Sequence, residues 1–233
     1  MTEETSGVPE EMAAFFDLRA EGYDQHIRGY VFTETEFNQF YAALVAPIAP
    51  TDRPIQVLDL GCGTGLELEF LFRRAPHAQV TGIDVSPGML AVLRARYADA
   101  MPQITLVEDS YLTAPLETRD FDYVLSAMTA HHLLHDAKDT LYRRIHAALK
   151  PGGKYIEGDS VTTVAMEAEF LAEYAGELAT APPAADGHYH VDVPLSLSTQ
   201  ETLLRHAGFK DFTLLWQRDP ADMWNAAVYA MTA

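Results

Sequence analysis

Residues 57–65 read VLDLGCGTG, an apolar run that ends in an acid and is followed by glycines at alternate positions. This pattern predicts a buried parallel strand, a tight turn and the start of a helix. Glycine lets a ligand approach the backbone closely, and we expect the N–H groups of the turn to face that ligand. A dinucleotide-binding turn has its third glycine one place later, where Leu66 stands. The spacing therefore favours a ligand smaller than a pyrophosphate.

Strand-like and helix-like segments alternate after this turn, which predicts a parallel sheet covered by helices on both faces. The predicted strands cover residues 56–60, 79–84, 104–108, 121–127, 154–158, 212–217 and 224–230. Ligands of such sheets bind beyond the carboxyl ends of the strands, near the point where the strand order reverses. The residues that follow each strand are therefore the first candidates for a site.

Four regions are expected along the chain. Residues 1–50 form a helical, aromatic lid over the ligand edge, because Phe37, Phe40 and Leu44 share one helical face. Residues 51–159 form the ligand-binding core. Regular alternation lapses at residues 160–197, which we interpret as a cap insertion over the active site. Residues 198–233 hold the last helix, predicted to begin with a capping box at residues 198–201, and the last two strands of the core.

The amino-acid composition excludes several classes of function. The chain has 233 residues and a formal net charge of -18, a surface that repels nucleic-acid phosphates and anionic membranes. Cys62 is the single cysteine, so an internal disulfide and a cysteine-based metal site are both excluded. The first residues are acidic and carry no apolar signal core, and we expect a cytoplasmic protein without a membrane partner.

The strand-end residues resemble those of the class I S-adenosylmethionine-dependent methyltransferases over residues 55–158. The matching pieces are the glycine run, GID at 82–84 with SPGML at 86–90, the Asp109 position, and LKPGG at 149–153. The resemblance implies an α/β, Rossmann-like, doubly wound sheet of seven mostly parallel strands, the last one antiparallel. It also implies S-adenosylmethionine as the cofactor and S-adenosylhomocysteine as the product.

The same resemblance assigns candidate cofactor-binding residues. Asp84 is expected to bind the ribose, since an ionised acid at a strand tip can accept two hydrogen bonds from a diol. Its alternative role is to cap the next helix. Tyr23 looks like the tyrosine that many such enzymes fold over the methionine carboxylate, or is a packing aromatic. The remaining candidates surround the methionine end, the adenine and the sulfonium: Asp59, Gly61, Cys62, Gly63, Gly65, Val85, Met89, Asp109, Ser110, Ser126 and Ala127.

Histidines and acids near the predicted methyl position are candidates for the acceptor side. His131 and His132 follow the fourth strand, Glu157 and Asp159 end the fifth, and His188 and His190 lie in the insertion. In one hypothesis His132 or His131 is a general base, with Asp159 beside it. In another, His188, His190 and Asp159 hold a divalent metal. The third alternative is that these groups, Glu157, His188 and His190 included, only orient the substrate.

We therefore expect a methyltransferase that acts on a small molecule, at nitrogen or oxygen. Two other functions stay open at this point: a non-catalytic sensor of the cofactor, and an NAD(P)-dependent oxidoreductase on a similar sheet. Leu66 and the turn at residues 150–153 speak against the oxidoreductase. The sequence names no acceptor and leaves the oligomeric state open, a homodimer included.

Overall fold

The computed structural model describes residues 10–116, 120–179 and 189–233. Its α-helices are α1 Met12–Arg19, α2 Tyr23–His26, α3 Glu34–Val45, α4 Leu66–Arg74, α5 Pro87–Arg96, α6 His135–Ala148, α7 Val164–Leu178 and α8 Leu197–His206. Its strands are β1 Gln56–Leu60, β2 Gln79–Asp84, β3 Ile104–Glu108, β4 Phe121–Ala127, β5 Leu149–Thr162, β6 Leu195–Ser196, β7 Lys210–Gln217 and β8 Asn225–Thr232. Within these described ranges, no helix combines the length and the apolar character needed to cross a membrane.

The strands form a single sheet in the order β3-β2-β1-β4-β5-β8-β7, and the two-residue β6 pairs with β5. Pairing is parallel except at β8, which runs antiparallel to both β5 and β7. This confirms the predicted doubly wound sheet with an antiparallel last strand. The order reverses between β1 and β4, so the crevice of the sheet opens beyond the ends of these two strands.

Apolar residues on successive positions of β1 point to opposite faces of the sheet. Val57 packs in a core with α3, α4 and α5, while Leu58 packs in a second core with α6 and α8. Phe37 and Phe40 of α3 are fully buried in the first of these cores. Helix α3 is therefore an integral part of the core, although it belongs to the region predicted as a lid.

Helix α1 is attached differently, because none of its residues is fully buried. Asp17 Oδ1 accepts hydrogen bonds from the Gly88 N–H at 2.7 Å and the Ser86 hydroxyl at 3.2 Å, at the start of α5. Asp24 Oδ1 accepts from the Thr64 hydroxyl at 2.6 Å, and the same carboxylate pairs with Arg96. Two aspartates thus hold the segment α1–α2 over the glycine turn.

Two predicted boundaries were wrong for a local reason. Helix α8 begins after Ser196, whose hydroxyl accepts from the Thr199 N–H at 3.3 Å, so the expected capping box at residues 198–201 is not the cap. The strand predicted at 154–158 extends over Leu149–Thr162, because β8 pairs with it from residue 154 to residue 161. In the insertion, helix α7 follows β5, and residues 180–188 lie outside the described residues.

We predict that Gly158→Ala lowers the free energy of unfolding by about 1–3 kcal/mol, measured by urea denaturation. A Cβ at this β5 position would stand 2.6 Å from Phe40 Cζ, and that ring is fully buried. The matched control is Gly176→Ala in α7, where a Cβ meets nothing within 4 Å. Alanine is the better helix former, so the control should be as stable as the parent or more so. Equal stability of the two variants would contradict the packing of α3 on β5.

Candidate active site

The glycine turn after β1 depends on backbone conformations that other residues rarely adopt. Gly61, Gly63 and Gly65 have φ values of 63°, 49° and 75°, all in the left-handed region. A Cβ at Gly61 would also lie 2.4 Å from Thr129 Oγ1, so the turn packs directly against the loop after β4. The three glycines therefore let the ends of β1 and β4 approach each other at the crevice.

The N–H groups of this turn point into the protein, contrary to the expectation that they face a ligand. Gly61 and Cys62 donate to the Ile83 carbonyl at 2.8 and 3.1 Å, and Gly65 donates to the Cys62 carbonyl at 2.8 Å. The Gly63 N–H donates to Asp84 Oδ2 at 2.8 Å. A ligand at this turn would meet the bare Cα faces rather than an array of backbone donors.

Asp84 joins the β1 turn to the exit of β2. Besides the bond from Gly63, its Oδ1 accepts from the Ser86 N–H at 2.9 Å. Burial raises the pKa of Asp84, and the donors at Ser86 and Gly63 oppose that rise. Ser86 is itself the cap of α5, accepting from the Met89 N–H at 3.1 Å. Asp84 is thus not the helix cap that the sequence offered as its alternative role, and it keeps lone pairs for a ligand in the cavity it lines.

Asp59 is a buried acid with no ion-pair partner among the described residues. Its side chain is 1% exposed, and its hydrogen-bond partner is the carboxyl group of Glu67, which can donate only when it carries a proton. Burial raises the pKa of Asp59 to about 7. Burial and the charge of Asp59 together raise the pKa of Glu67 in α4 well above its usual value, so Glu67 keeps its proton. An unpaired carboxylate beneath a glycine turn favours a cationic ligand.

A cavity of about 650 Å³, measured out to its open mouth, lies beside this turn. Several predicted cofactor residues line it: Tyr23, Gly61, Gly63, Asp84, Val85, Met89 and Ser110. The sequence missed the rest of the lining, which is mostly apolar: Met12, Phe16, Tyr111, Leu112, Met128, Thr129 and Leu133. Met12 and Phe16 come from α1, so the attached helix forms one wall.

At the end of β4 the cavity wall lies two residues beyond the predicted position. Ser126 and Ala127 are buried in the sheet and do not line the cavity, whereas Met128 and Thr129 do. Met128 has a φ of 52°, a conformation that costs energy for a residue with a Cβ. That backbone reversal turns the chain toward the cavity, and no sequence signal marks it at a methionine.

Four other predicted cofactor residues also lie off the cavity wall, among them Asp59, which is buried beneath the glycine turn. Asp109 is exposed, and its Oδ1 accepts from the Ser110 N–H at 2.7 Å within its own turn. Cys62 is buried with its sulfur against Gly82, where it fills space. Gly65 begins α4, and its carbonyl accepts from the Tyr97 hydroxyl at 2.8 Å. Of these, Cys62 and Gly65 shape the turn from within.

The strand-end histidines converge with two aspartates. Asp159 Oδ1 lies 2.5 Å from His131 Nδ1. Asp192, which the sequence analysis did not single out, places Oδ1 3.4 Å from His131 Nε2 and 3.2 Å from His132 Nδ1. His190 stacks on Phe15 with ring centroids 3.4 Å apart, and its ring lies 4.6 Å from that of His132. His188 lies outside the described residues.

The charges of this cluster follow from its pairing. Although burial alone lowers the pKa of His131, the charge and hydrogen bond of Asp159 raise it to about 10. Burial and the charge on His131 lower the pKa of His132. Burial, followed by His132, lowers the pKa of His190 to about 3. The cluster therefore contains one imidazolium, His131, and two neutral imidazoles.

Glu157, predicted to bind substrate, lies in the core instead of on the cavity wall. It is fully buried, and its Oε2 accepts from the hydroxyls of Tyr142 and Tyr155 at 2.9 Å each. Lys138 Nζ lies 3.9 Å from its Oε1. Burial raises the pKa of Glu157, and Lys138 opposes that rise. This position corrects the expectation from its place in the sequence.

Comparison with known proteins agrees with this geometry. Residues 57–153 match the family model described as a methyltransferase domain. A trans-aconitate 2-methyltransferase from Rhodopseudomonas palustris is 35% identical over 127 residues, which is 53% of this chain and 45% of that protein. The chain therefore carries a methyltransferase domain at residues 57–153. It spans about half the length of the curated relatives it matches.

Solved structures of methyltransferases share the fold of this chain. A methyltransferase from Thermotoga maritima has a TM-score of 0.63 at 18% identity, over 95% of this chain and 99% of its own. A proposed O-methyltransferase from Nostoc punctiforme has a TM-score of 0.69 at 20% identity, over 96% of this chain and 62% of its own. At such identities the likeness shows the fold alone, and the site has to be argued from its own residues.

We predict that Asp59→Asn stabilises the methyltransferase at pH 8 by at least about 1 kcal/mol, measured by urea denaturation. The pKa of Asp59 is about 7 in the folded protein and 3.8 in a model peptide. Between these values the folded chain binds the extra proton, so its stability falls as the pH rises through this window. The advantage of the variant should therefore vanish near pH 4.

The matched control is Asp99→Asn, an exposed acid-to-amide change. It should leave stability unchanged at both pH values. An Asp59→Asn variant less stable than the parent at pH 8 would contradict the unpaired state of this carboxylate.

Proposed function

We propose that this protein transfers a methyl group from S-adenosylmethionine to a small-molecule acceptor and releases S-adenosylhomocysteine. The observation that carries the proposal is the buried, unpaired carboxylate of Asp59 beneath a turn of left-handed glycines. Bound S-adenosylmethionine supplies a methyl group already activated on a sulfonium. The task left to the chain is to bind, align the two partners and exclude water.

The residues present fit a cationic cofactor. Asp59 would hold the ammonium of the methionine end, because it is buried beneath the glycine turn with no basic side chain paired to it among the described residues. Asp84, which lines the cavity itself, adds a second carboxylate. A pyrophosphate would meet these acids and no free array of turn N–H groups. The electrostatics therefore disfavour the oxidoreductase alternative.

The other cofactor assignments follow from the lining of the cavity. We assign the ribose to Asp84 and the adenine end to Ser110, with Val85 and Met89 along the wall between them. Tyr23 lies over the turn from α2 and would cover the methionine end. We assign a supporting role to the predicted residues that lie behind this wall: Asp109, Ser126, Ala127, Cys62 and Gly65.

Water exclusion is assigned to two segments. Helices α1 and α2 of the proposed lid at residues 1–50 cover the cavity with Met12, Phe16 and Tyr23. The proposed cap at residues 160–197, between the core at 51–159 and the closing region at 198–233, contributes the segment that carries His190 and Asp192. Its proximity to the cavity makes this cap the source of acceptor specificity.

The acceptor itself is proposed to be a small molecule, methylated at nitrogen or oxygen. The wall opposite Asp84 is apolar, with Phe16, Met128 and Leu133, and fits a compact organic molecule. Relatives with the same domain are named for trans-aconitate and demethylmenaquinone, both small molecules. We assign His131, His132 and Asp159 to the acceptor side, next to Phe16.

Calorimetric titration with S-adenosylhomocysteine tests the cofactor assignment. The parent should give saturable heat, and Asp59→Asn should bind at least about tenfold more weakly, because it loses a charge-assisted contact. This variant is expected to be at least as stable as the parent at pH 8, so weak binding cannot be ascribed to unfolding. Asp99→Asn is the matched control and should bind as the parent does. Heat with NAD(H) and none with S-adenosylhomocysteine would overturn the proposal.

Transfer of label from methyl-labelled S-adenosylmethionine tests the acceptor class. The protein should label a compound in a small-metabolite fraction, and heat-denatured protein should not. Label in a protein or nucleic-acid fraction instead would refute the small-molecule acceptor. Cofactor binding without label in any fraction would identify a sensor in place of an enzyme.

A further inference from the structure

Three donor atoms of the histidine cluster lie close together, and the Val191 carbonyl also lies 3.2 Å from His132 Nδ1. His131 Nε2 and His132 Nδ1 lie 3.4 and 3.2 Å from Asp192 Oδ1. All three ligand atoms of this trio lie within 4.8 Å of one another. Ligands bound at about 2.0–2.2 Å around a tetrahedral ion are separated by about 3.3–3.6 Å, close to the two measured separations. The cluster therefore has nearly the dimensions of a metal centre.

The residue behind His131 strengthens this reading. Asp159 Oδ1 lies 2.5 Å from His131 Nδ1, the nitrogen that faces away from Asp192. A carboxylate on the far nitrogen is the usual partner of a metal-binding histidine, because it fixes the ring orientation and makes the other nitrogen more basic. Asp159 is fixed in turn by the Ser160 N–H at 2.8 Å. A histidine that served only in packing would not require this support.

The segment that carries Asp192 is attached to the same turn. The Val193 N–H donates to the His131 carbonyl at 2.7 Å, so Asp192 is held beside the two rings by the backbone. His131 and His132 are buried, whereas the Asp192 side chain is 42% exposed. An ion can therefore reach the donors from solvent, and the exposed side leaves a coordination position for a further ligand.

We propose that His131, His132 and Asp192 bind one divalent first-row transition metal ion, of which zinc is the simplest case. Two imidazoles and a carboxylate are the donor set that such ions accept, and binding would release the Nε2 proton of the His131 imidazolium to solvent. This set differs from the one predicted from the sequence: His190 stacks on Phe15, and Asp159 supports a ligand instead of being one. The binding claim is independent of methyl transfer.

An ion at this position would also have a role in the proposed methyl transfer. Phe16 lines the cavity and contacts His132 with ring centroids 5.8 Å apart. On the assumption that the acceptor extends from this cavity past Phe16 to the cluster, an acceptor oxygen or nitrogen could become the fourth ligand of the ion. The ion would then favour the deprotonated, attacking form, the task otherwise given to a general base.

Cobalt(II) titration of chelator-treated full-length protein tests the proposal, with visible d–d absorption as the readout. We expect one ion per chain and bands typical of a low-coordinate nitrogen–oxygen site. His132→Ala and Asp192→Ala should each weaken binding at least about thirtyfold, and Asp159→Asn should weaken it about tenfold. His206→Ala is the matched control, because His206 pairs with Asp139 at 2.9 Å on the surface. It should bind cobalt as the parent does.

Two results would overturn the metal site: no saturable cobalt binding by the parent, or equal binding by the parent, His132→Ala and Asp192→Ala. Far-ultraviolet circular dichroism and S-adenosylhomocysteine titration of each variant control for folding. If Asp192→Ala misfolds, Asp192→Asn gives the same comparison with a smaller change. Cobalt binding without S-adenosylhomocysteine binding would refute the proposed function and leave the metal site standing.

Discussion

The site depends on carboxylates buried where the strand order reverses. Asp84 meets this constraint by accepting backbone hydrogen bonds from Gly63 and Ser86, and it thereby ties the turn after β1 to the exit of β2. Asp59 has no such backbone donor among the described residues, and its side-chain partner is another carboxyl group, that of Glu67. Burying a carboxylate without a cationic partner costs several kcal/mol, so this arrangement reduces stability in favour of a positively charged ligand. The glycine turn gives that ligand access to the acid.

Aspartates also attach the N-terminal segment to the core, but these aspartates have hydrogen-bond donors. Helix α1 has no fully buried residue, so its position relies on Asp17 at the start of α5 and on the Asp24 contacts that follow α1. Helix α3 buries Phe37 and Phe40 completely and cannot leave without exposing the core. Few buried contacts mean a low cost of local opening. Local opening of α1 and α2 should therefore cost less free energy than opening of α3.

The sequence predicted the sheet well because parallel strands are local apolar runs, and each ends at a recognisable turn. For the same reason it located Asp84, Gly61 and Gly63 next to the cavity, and their roles toward a cofactor stay predictions. It did not predict that the turn N–H groups face inward, because their acceptors, Ile83 and Asp84, come from another strand. Met128 lines the cavity through a left-handed backbone that side-chain patterns do not encode. Glu157 was predicted to face the site but lies in the core, because an acid at the end of a strand can equally accept hydrogen bonds from buried tyrosines.

Asp192 shows most clearly what a linear reading lacks. Its partners His131 and His132 are about sixty positions away. The Val193 N–H bond to the His131 carbonyl and the contact of the Val191 carbonyl with His132 Nδ1 hold the two segments together. No spacing rule joins such residues, so the two adjacent histidines suggested a base, and the pair His188 and His190 suggested a metal. In the fold, the pair that meets an aspartate is the adjacent one. Asp84 lines the cavity proposed for a cationic cofactor, and Asp192, next to the His132 ring that contacts Phe16, completes a donor set suited to a metal cation. Acidic side chains near the site therefore lie where cations are expected to bind.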